Sequence, residues 1–258
     1  MRFRPCIDIH NGKVRQIVGG SLKDAGDFAV VNNESPMSAE EFATLYRRDG
    51  ITGAHVIMLN SIDSEYYEAT KREALSALSA YPGGLQIGGG INADNARGFI
   101  DAGASHVIVT SFAFSGGEIK LDNIRALVKA VGKERVVLDL SAAKKDGKYY
   151  VVTDRWQKFS KEEVTKELFD VLKEYCAEFL VHGTGVEGLK KGPDLELVKI
   201  LSEIDHPITY AGGIATLEDI EEIRRISDKK LDFTVGSALD LFGGNLKYET
   251  VKLLSVAR

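Results

Sequence analysis

Residues 85–91 read LQIGGGI, and residues 208–214 read ITYAGGI. Each stretch is a short apolar run that ends in consecutive glycines and a further isoleucine. Short runs without a polar face are typical of parallel strands that helices cover on both sides. Because the two copies lie in different halves of the chain, they favour a fold in which one half repeats the other.

Further apolar runs of the same kind alternate with helical patterns on either side of these two stretches. Together they predict eight strands: Arg4–Ile9, His55–Asn60, Leu85–Ile87, His106–Thr110, Val136–Leu140, Phe179–His182, Ile208–Ala211 and Phe233–Val235. Eight strands that are each followed by a helix favour the α/β class, as a (β/α)8 TIM barrel with a half-barrel internal repeat. A doubly wound open sheet is the alternative that this pattern leaves open.

The predicted helices have recognisable ends. Capping patterns at Ser38–Glu41 and Thr216–Asp219 begin two of them, with acidic residues in the first turn. Apolar residues recur at helical spacing over residues 123–131 and 194–204. No linker or low-complexity stretch divides the sequence, so we expect residues 1–258 to form a single domain.

Two longer irregular stretches, Gly19–Met37 and Ala142–Lys158, each follow a predicted strand. Loops after strands lie at the catalytic face of a barrel, so we expect both to cover a substrate. The second stretch contains Asp146-Gly147 between a lysine-rich and a Tyr/Val-rich segment. This pair predicts a β-hairpin inside the loop.

Composition narrows the classes of function. The formal net charge of −5 argues against a nucleic acid or an acidic membrane surface as partner, whereas backbone N–H groups can still bind a phosphate. The cysteines, Cys6 and Cys176, lie far apart and outside any metal-ligand spacing, as in a reduced cytoplasmic protein. We predict no signal peptide, no membrane span and no metal site.

Asp8 and Asp139 are the strongest catalytic candidates. Each is the single acid of an otherwise apolar strand and lies near its C-terminal end. In a barrel, the first and fifth strands lie opposite one another, so the two carboxyl groups would face a substrate from both sides as acid and base. The alternative for each aspartate is a structural role, capping a loop or pairing with a lysine.

Glycines and small hydroxyl residues after four of the strands are candidates for phosphate binding. Glycine lets the backbone approach an anion, and the following helix offers free N–H groups. Ordinary strand-to-helix turns are the alternative, although turns after the last two strands of a barrel commonly hold phosphate. The candidates are Gly88, Gly89, Gly90, Thr110, Ser111, Gly212, Gly213, Gly236 and Ser237.

Four residues are weaker candidates for substrate contacts: Arg15, Trp156, His182 and Thr184. Arg15 would reach a phosphate or a carboxamide, and Trp156 would stack on a planar base. Three of them have a structural alternative, which is solvation for the arginine, loop packing for the tryptophan and a structural hydrogen bond for the histidine.

The stretches PCIDIHNGKVRQIVGG, VVLDL, DGKYYVVTDRWQKFS, FLVHGTGVEGLKKGPD and FTVGSALD, with the two glycine stretches above, cover essentially the whole chain in order. They resemble the phosphoribosylformimino-aminoimidazole carboxamide ribotide isomerases of histidine biosynthesis, most closely the eukaryotic form. The resemblance implies a bisphosphate substrate and an Amadori rearrangement that needs no metal or organic cofactor. It assigns the general base at ribose C2 to Asp8 and the ring-opening acid to Asp139.

The sequence also departs from relatives of this family. Bacterial members have a threonine directly after the strand-six histidine, whereas here Gly183 precedes Thr184. They also end strand two with an acidic residue, where this chain has Met58-Leu59-Asn60. Relatives that also serve tryptophan synthesis have an arginine after the strand-three glycines, where this chain has Asn92, so we expect a single substrate.

Two other functions remain open at this point. One is the sister cyclase barrel of the same pathway, although its strand-six loop differs from residues 186–189 here. The other is a phosphate-binding barrel without catalytic activity, which would not need two opposed carboxylates. We expect the protein to act on its small-molecule substrate as a monomer.

Overall fold

The computed structural model describes residues 1–17, 29–186 and 191–255. The strands are β1 (Cys6–His10), β2 (Lys13–Ile17), β3 (Val31–Glu34), β4 (Ala54–Met58), β5 (Leu85–Gly88), β6 (His106–Val109), β7 (Phe114–Ser115), β8 (Glu118–Ile119), β9 (Val136–Lys145), β10 (Lys148–Thr153), β11 (Lys158–Glu163), β12 (Glu178–Gly183), β13 (Ile208–Ala211) and β14 (Asp232–Phe233). The helices are α1 (Ala39–Arg48), α2 (Tyr67–Ala80), α3 (Ala96–Asp101), α4 (Leu121–Val131), α5 (Lys166–Leu172), α6 (Leu195–Ser202), α7 (Leu217–Ile226) and α8 (Tyr248–Leu253).

Eight parallel strands form the central sheet in sequential order: β1, β4, β5, β6, β9, β12, β13 and β14. The two ends of this order meet through a parallel bridge between Phe3 and Phe233. There the Arg4 N–H donates to the Phe233 carbonyl at 2.9 Å. The predicted (β/α)8 barrel is confirmed, and the open sheet is wrong because a doubly wound sheet would reverse its strand order.

The helix signals in the sequence are also confirmed. Ser38 and Glu41 form the predicted capping box of α1, and Thr216 and Asp219 form that of α7. Asp194 caps α6 by accepting a hydrogen bond from the Leu197 N–H. These caps satisfy N–H groups that lack a partner within the helix, and they fix where each helix begins.

The barrel interior is filled in layers. A middle layer of Ile108, Val137, Leu180 and Ala211 forms an apolar plug. Below it lies a layer of buried polar side chains, in which Arg4 pairs with Glu178 and Asp232. The interior is therefore packed rather than open. We call the end at the C-termini of the barrel strands the upper end, or mouth, and the opposite end the lower end.

Additional antiparallel strand pairs extend from the barrel. Strands β2 and β3 form an antiparallel pair after β1, so part of the first long loop is strand. Residues 18–28 lie outside the described residues. The predicted hairpin at Asp146-Gly147 is confirmed, with φ values of 49° and 80° that suit a two-residue turn. Strand β9 extends to Lys145, beyond the predicted Leu140, because its end pairs with β10. Strand β10 also pairs with β11, and β7 pairs with β8.

Within the described residues, none of the helices has both the length and the apolar character needed to cross a membrane.

Candidate active site

Asp8 projects into the upper mouth of the barrel from β1. Along this strand Ile7 and Ile9 are fully buried, whereas Cys6 and Asp8 alternate with them and are half-buried. The side-chain amide of Gln16, on β2, donates from Nε2 to Asp8 Oδ2 at 2.8 Å. Strand β2 turns back over β1 at the tight Asn11-Gly12 turn, and this brings the amide onto the carboxylate.

Asp139 projects into the same mouth from β9, the fifth strand of the barrel and therefore the one opposite β1. Its Oδ2 accepts a hydrogen bond of 2.6 Å from the Thr110 hydroxyl at the end of β6. Its Oδ1 lies 3.3 Å from Nε2 of His182 at the end of β12. The strand order thus confirms that the two aspartates occupy opposed strands, and it places two further candidate residues against Asp139.

The glycine turns after β5 and β13 have matching conformations. Gly89 and Gly90 have φ values of 95° and 67°, and Gly212 and Gly213 have values of 125° and 75°. A Cβ at Gly89 would lie 1.9 Å from the Met58 carbonyl oxygen, so this position excludes any side chain. Positive φ values at both glycines of each turn, at equivalent positions, agree with the predicted half-barrel repeat.

Between each glycine turn and the helix that follows it, side chains accept hydrogen bonds from backbone N–H groups. Asn92 Oδ1 accepts from the N–H groups of Asp94 and Asn95 before α3. Asp219 Oδ2 accepts from the N–H groups of Ala215 and Thr216 before α7. These bonds fix the connection between each glycine turn and the helix that follows it, and a phosphate contact at either turn stays a prediction. Asn92 has a clear structural role as a loop cap.

The remaining phosphate candidates also lie at the C-terminal ends of strands. Thr110 and Ser111 are exposed after β6, and Gly236 and Ser237 are half-buried after β14. Their phosphate-binding role stays a prediction.

The weaker candidates divide into two groups. Trp156 and His182 lie by the mouth. Trp156 Nε1 donates to the hydroxyl of Ser141 at 3.0 Å, and Ser141 lies two residues after Asp139 on β9. The Thr184 hydroxyl instead donates to the Ala142 carbonyl at 3.1 Å. Arg15 pairs with Glu34 on β3 at 2.7 Å, on the opposite face of β2 from Gln16. Thr184 and Arg15 thus have structural contacts, and their substrate contacts stay predictions.

The loop that carries Trp156 has an unusual backbone. Asp154, Arg155 and Trp156 all have positive φ, at 54°, 56° and 68°. Side chains other than glycine adopt this region at a cost, so neighbouring contacts must hold the loop in place. The N–H groups of Gly116 and Gly117, between β7 and β8, donate to the side chains of Asp154 and Thr153.

Sequence reasoning missed Gln16. It singled out the neighbouring Arg15 as a residue that would reach a phosphate or a carboxamide. The alternation in residues 13–17, KVRQI, holds the relevant signal: Val14 and Gln16 share the buried face of β2, and a buried glutamine needs a hydrogen-bond partner. Residues 187–189, whose sequence weighed against the cyclase, lie outside the described residues.

Among the described residues, no group of three or more His, Cys, Asp and Glu side chains is arranged to hold a metal ion. Metal independence stays a prediction.

Fold and site together define a (β/α)8 barrel with two carboxylates on opposed strands at its C-terminal mouth. Residues 2–247 match the family model described as histidine biosynthesis protein, and the chain belongs to that family. A chloroplastic relative from Medicago truncatula is 53% identical over 256 residues, which cover 97% of this chain and 80% of the relative. Relatives from Neurospora crassa and Saccharomyces cerevisiae are 46% and 39% identical and cover 94% and 96% of this chain, and 93% and 95% of their own lengths. All three are named 1-(5-phosphoribosyl)-5-((5-phosphoribosylamino)methylideneamino)imidazole-4-carboxamide isomerases.

Proposed function

We propose that this protein is the isomerase of histidine biosynthesis that converts the N-phosphoribosylformimino aminoimidazole carboxamide ribonucleotide, an aminoaldose, to its phosphoribulosyl aminoketose. The observation that carries the proposal is the pair Asp8 and Asp139 on opposed strands of one barrel mouth. The names of the relatives, which match along nearly the whole chain, support the same reaction and do not favour the cyclase.

The reaction is an Amadori rearrangement and consists of proton transfers. Asp139 protonates the ribosyl ring oxygen, and the ring opens to an iminium ion. Asp8 then removes the proton from C2 to give an enolamine, which tautomerises to the aminoketose. No electrons leave the substrate, so an acid and a base suffice, and the proposal routes no step through a metal or an organic cofactor.

The partners of the two aspartates support this division of roles. The Gln16 amide nitrogen can only donate, so it favours the ionised, basic form of Asp8. The Thr110 hydroxyl and a neutral His182 can each donate or accept, so they can stay hydrogen-bonded to Asp139 in either protonation state.

Two phosphates at the ends of one long substrate match two equivalent glycine turns on opposite sides of the mouth. We propose that Gly88 to Gly90 with Thr110 and Ser111 bind one phosphate, and that Gly212 and Gly213 with Gly236 and Ser237 bind the other. Binding at both ends would hold C1 and C2 between the carboxylates, so that remote binding energy serves the chemical step.

Further parts of the proposal concern partners and location. We propose a monomer in the cytoplasm that acts on a small bisphosphate and binds neither nucleic acid nor membrane, in line with its negative net charge.

A direct turnover assay tests the function. The purified protein is given the formimino aminoaldose, and ketose formation is followed with and without the sister cyclase and ammonia. Ketose formed by this protein alone supports the isomerase. Consumption of supplied ketose alone would identify a cyclase, and binding without conversion would identify a barrel without catalytic activity.

A further inference from the structure

Gln16 makes a set of contacts that the reaction scheme above does not require. It is 5% exposed and shares the buried face of β2 with Val14. One amide hydrogen bond runs from Nε2 to Asp8 Oδ2 at 2.8 Å, and the same nitrogen lies 3.5 Å from Cys6 Sγ. Cys6 and Asp8 project from the same face of β1, so the amide is held against two consecutive inward positions of that strand.

The oxygen end of the same side chain lies against the turn after β14. A Cβ built on Gly236 would be 2.7 Å from Gln16 Oε1, so a larger residue at position 236 would displace the amide oxygen from this turn. Gln16 thus spans from the carboxylate on β1 to one of the proposed phosphate turns, across the joint between the first and last strands of the barrel.

The chemistry of an amide suits this place. A hydrogen bond to an ionised carboxylate stabilises it and fixes its orientation. A lysine or arginine would do the same, but its full charge would also weaken the carboxylate as a base. A neutral amide supplies the orientation at a smaller loss of basicity.

We propose that Gln16 is a positioning residue that holds Asp8 ionised, oriented and in register with the Gly236 turn. This inference rests on the proposed function, since it assigns Asp8 the role of base. Gln16 acts through Asp8 and does not itself exchange a proton with the substrate.

The test compares Gln16→Met with a matched control, Gln86→Met. Gln86 is also a fully buried barrel glutamine whose Nε2 donates to a carboxylate, Glu178 Oε2 at 3.1 Å, but in the lower layer, away from the mouth. Methionine has a similar volume and removes the amide in both. We expect Gln16→Met to lower kcat by about 10- to 100-fold with KM changed by about twofold at most, which is the loss of one hydrogen bond to a charged group.

The pH profile separates positioning from packing. Without the amide the ionised form of Asp8 is less favoured, so the acid limb of kcat/KM should move to higher pH in Gln16→Met. In Gln86→Met we expect a lower melting temperature and an unchanged acid limb. Equal behaviour of the two variants, or an unmoved acid limb in Gln16→Met, would overturn the proposal.

Two further measurements keep the result decisive. Gln16→Glu can donate to Asp8 only while it is protonated, so its rate relative to the native protein should fall as pH rises, opposite in sign to Gln16→Met. Titration of the Asp8 carboxyl carbon by NMR needs no turnover, so it tests the Gln16 contact even if the native protein fails the isomerase assay. An identical Asp8 titration in Gln16→Met and the native protein would disprove the contact.

Discussion

The barrel has buried or half-buried carboxylates at both ends, and the two ends give them different partners. In the lower layer, Glu178 and Asp232 are buried and paired with the guanidinium groups of Arg4 and Arg2. In the upper mouth, Asp8 and Asp139 accept hydrogen bonds from an amide and a hydroxyl. The lower carboxylates form ion pairs that link strands of the barrel. The upper carboxylates have neutral partners, which leave them able to exchange protons.

The electrostatics of the lower layer show the difference. Burial alone would raise the pKa of Asp232, but the charges of Arg4 and Arg2 outweigh it and hold that pKa below its usual value. Thr209 and Gln86 add hydrogen bonds to Glu178, so each carboxylate is enclosed by donors. An enclosed ion pair contributes specificity of packing, and it can do no acid–base chemistry with a ligand.

The largest expected effect comes from the mouth. Asp8→Asn and Asp139→Asn should each lower turnover by about 10²- to 10⁴-fold, because asparagine keeps the shape and removes the proton exchange. Steady-state kinetics measures the loss, and circular dichroism should show an unchanged fold. A near-native rate in Asp8→Asn would end the assignment of the base.

The next effect is on stability and comes from the lower layer. Arg4→Met leaves Glu178 and Asp232 without their shared cation and should lower the free energy of unfolding by about 3–5 kcal/mol. Arg2→Met is the matched control. The Arg2 side chain is 33% exposed against 6% for Arg4, so water can replace part of its pairing with the buried Asp232, and the loss should be smaller, about 1–2 kcal/mol. Denaturant unfolding compares the two variants, and equal losses would contradict a larger contribution from the more deeply buried Arg4.

The pH dependence of stability tests a further buried side chain, His55 on β4, against the titratable carboxylates of the mouth. Burial, and secondarily Arg4, lowers the pKa of His55 from 6.5 to about 3. The unfolded chain therefore binds one more proton below pH 6.5, and stability should fall on acidification by about 1.4 kcal/mol per pH unit until pH 3. His55→Gln should lose this component in denaturant unfolding between pH 7 and 4, whereas an unchanged slope would mean that His55 is protonated in the fold.

The smallest effect is expected at the edge of the mouth. Trp156→Phe keeps an aromatic face but removes the bond to Ser141, so KM should rise by less than about tenfold and kcat should change little. Trp156 is the single tryptophan of the chain, so its fluorescence reports on the loop directly. If saturating substrate does not change the tryptophan fluorescence of the native protein, Trp156 serves loop packing alone.

Much of this organisation could be read from residues. The apolar runs located all eight barrel strands to within a few positions, and the capping patterns at Ser38 and Thr216 fixed two helix starts. The isolated aspartates of β1 and β9 stood out because a charge in an apolar strand requires an explanation. Strand ends were less predictable: β9 runs past Leu140 because a partner strand, β10, extends its ladder.

The amino-acid sequence by itself determined the eight barrel strands, their order along the chain and which of them carry the two aspartates, because hydrophobic period is a local property. Tertiary structure alone decided what contacts them. Gln16 reaches Asp8 because β2 folds back over β1, and Thr110 and His182 reach Asp139 from two other strands. Such pairs depend on strand register and closure, which arise from the whole barrel. The alternation along β2 marks Gln16 as buried, but it does not say which group Gln16 contacts.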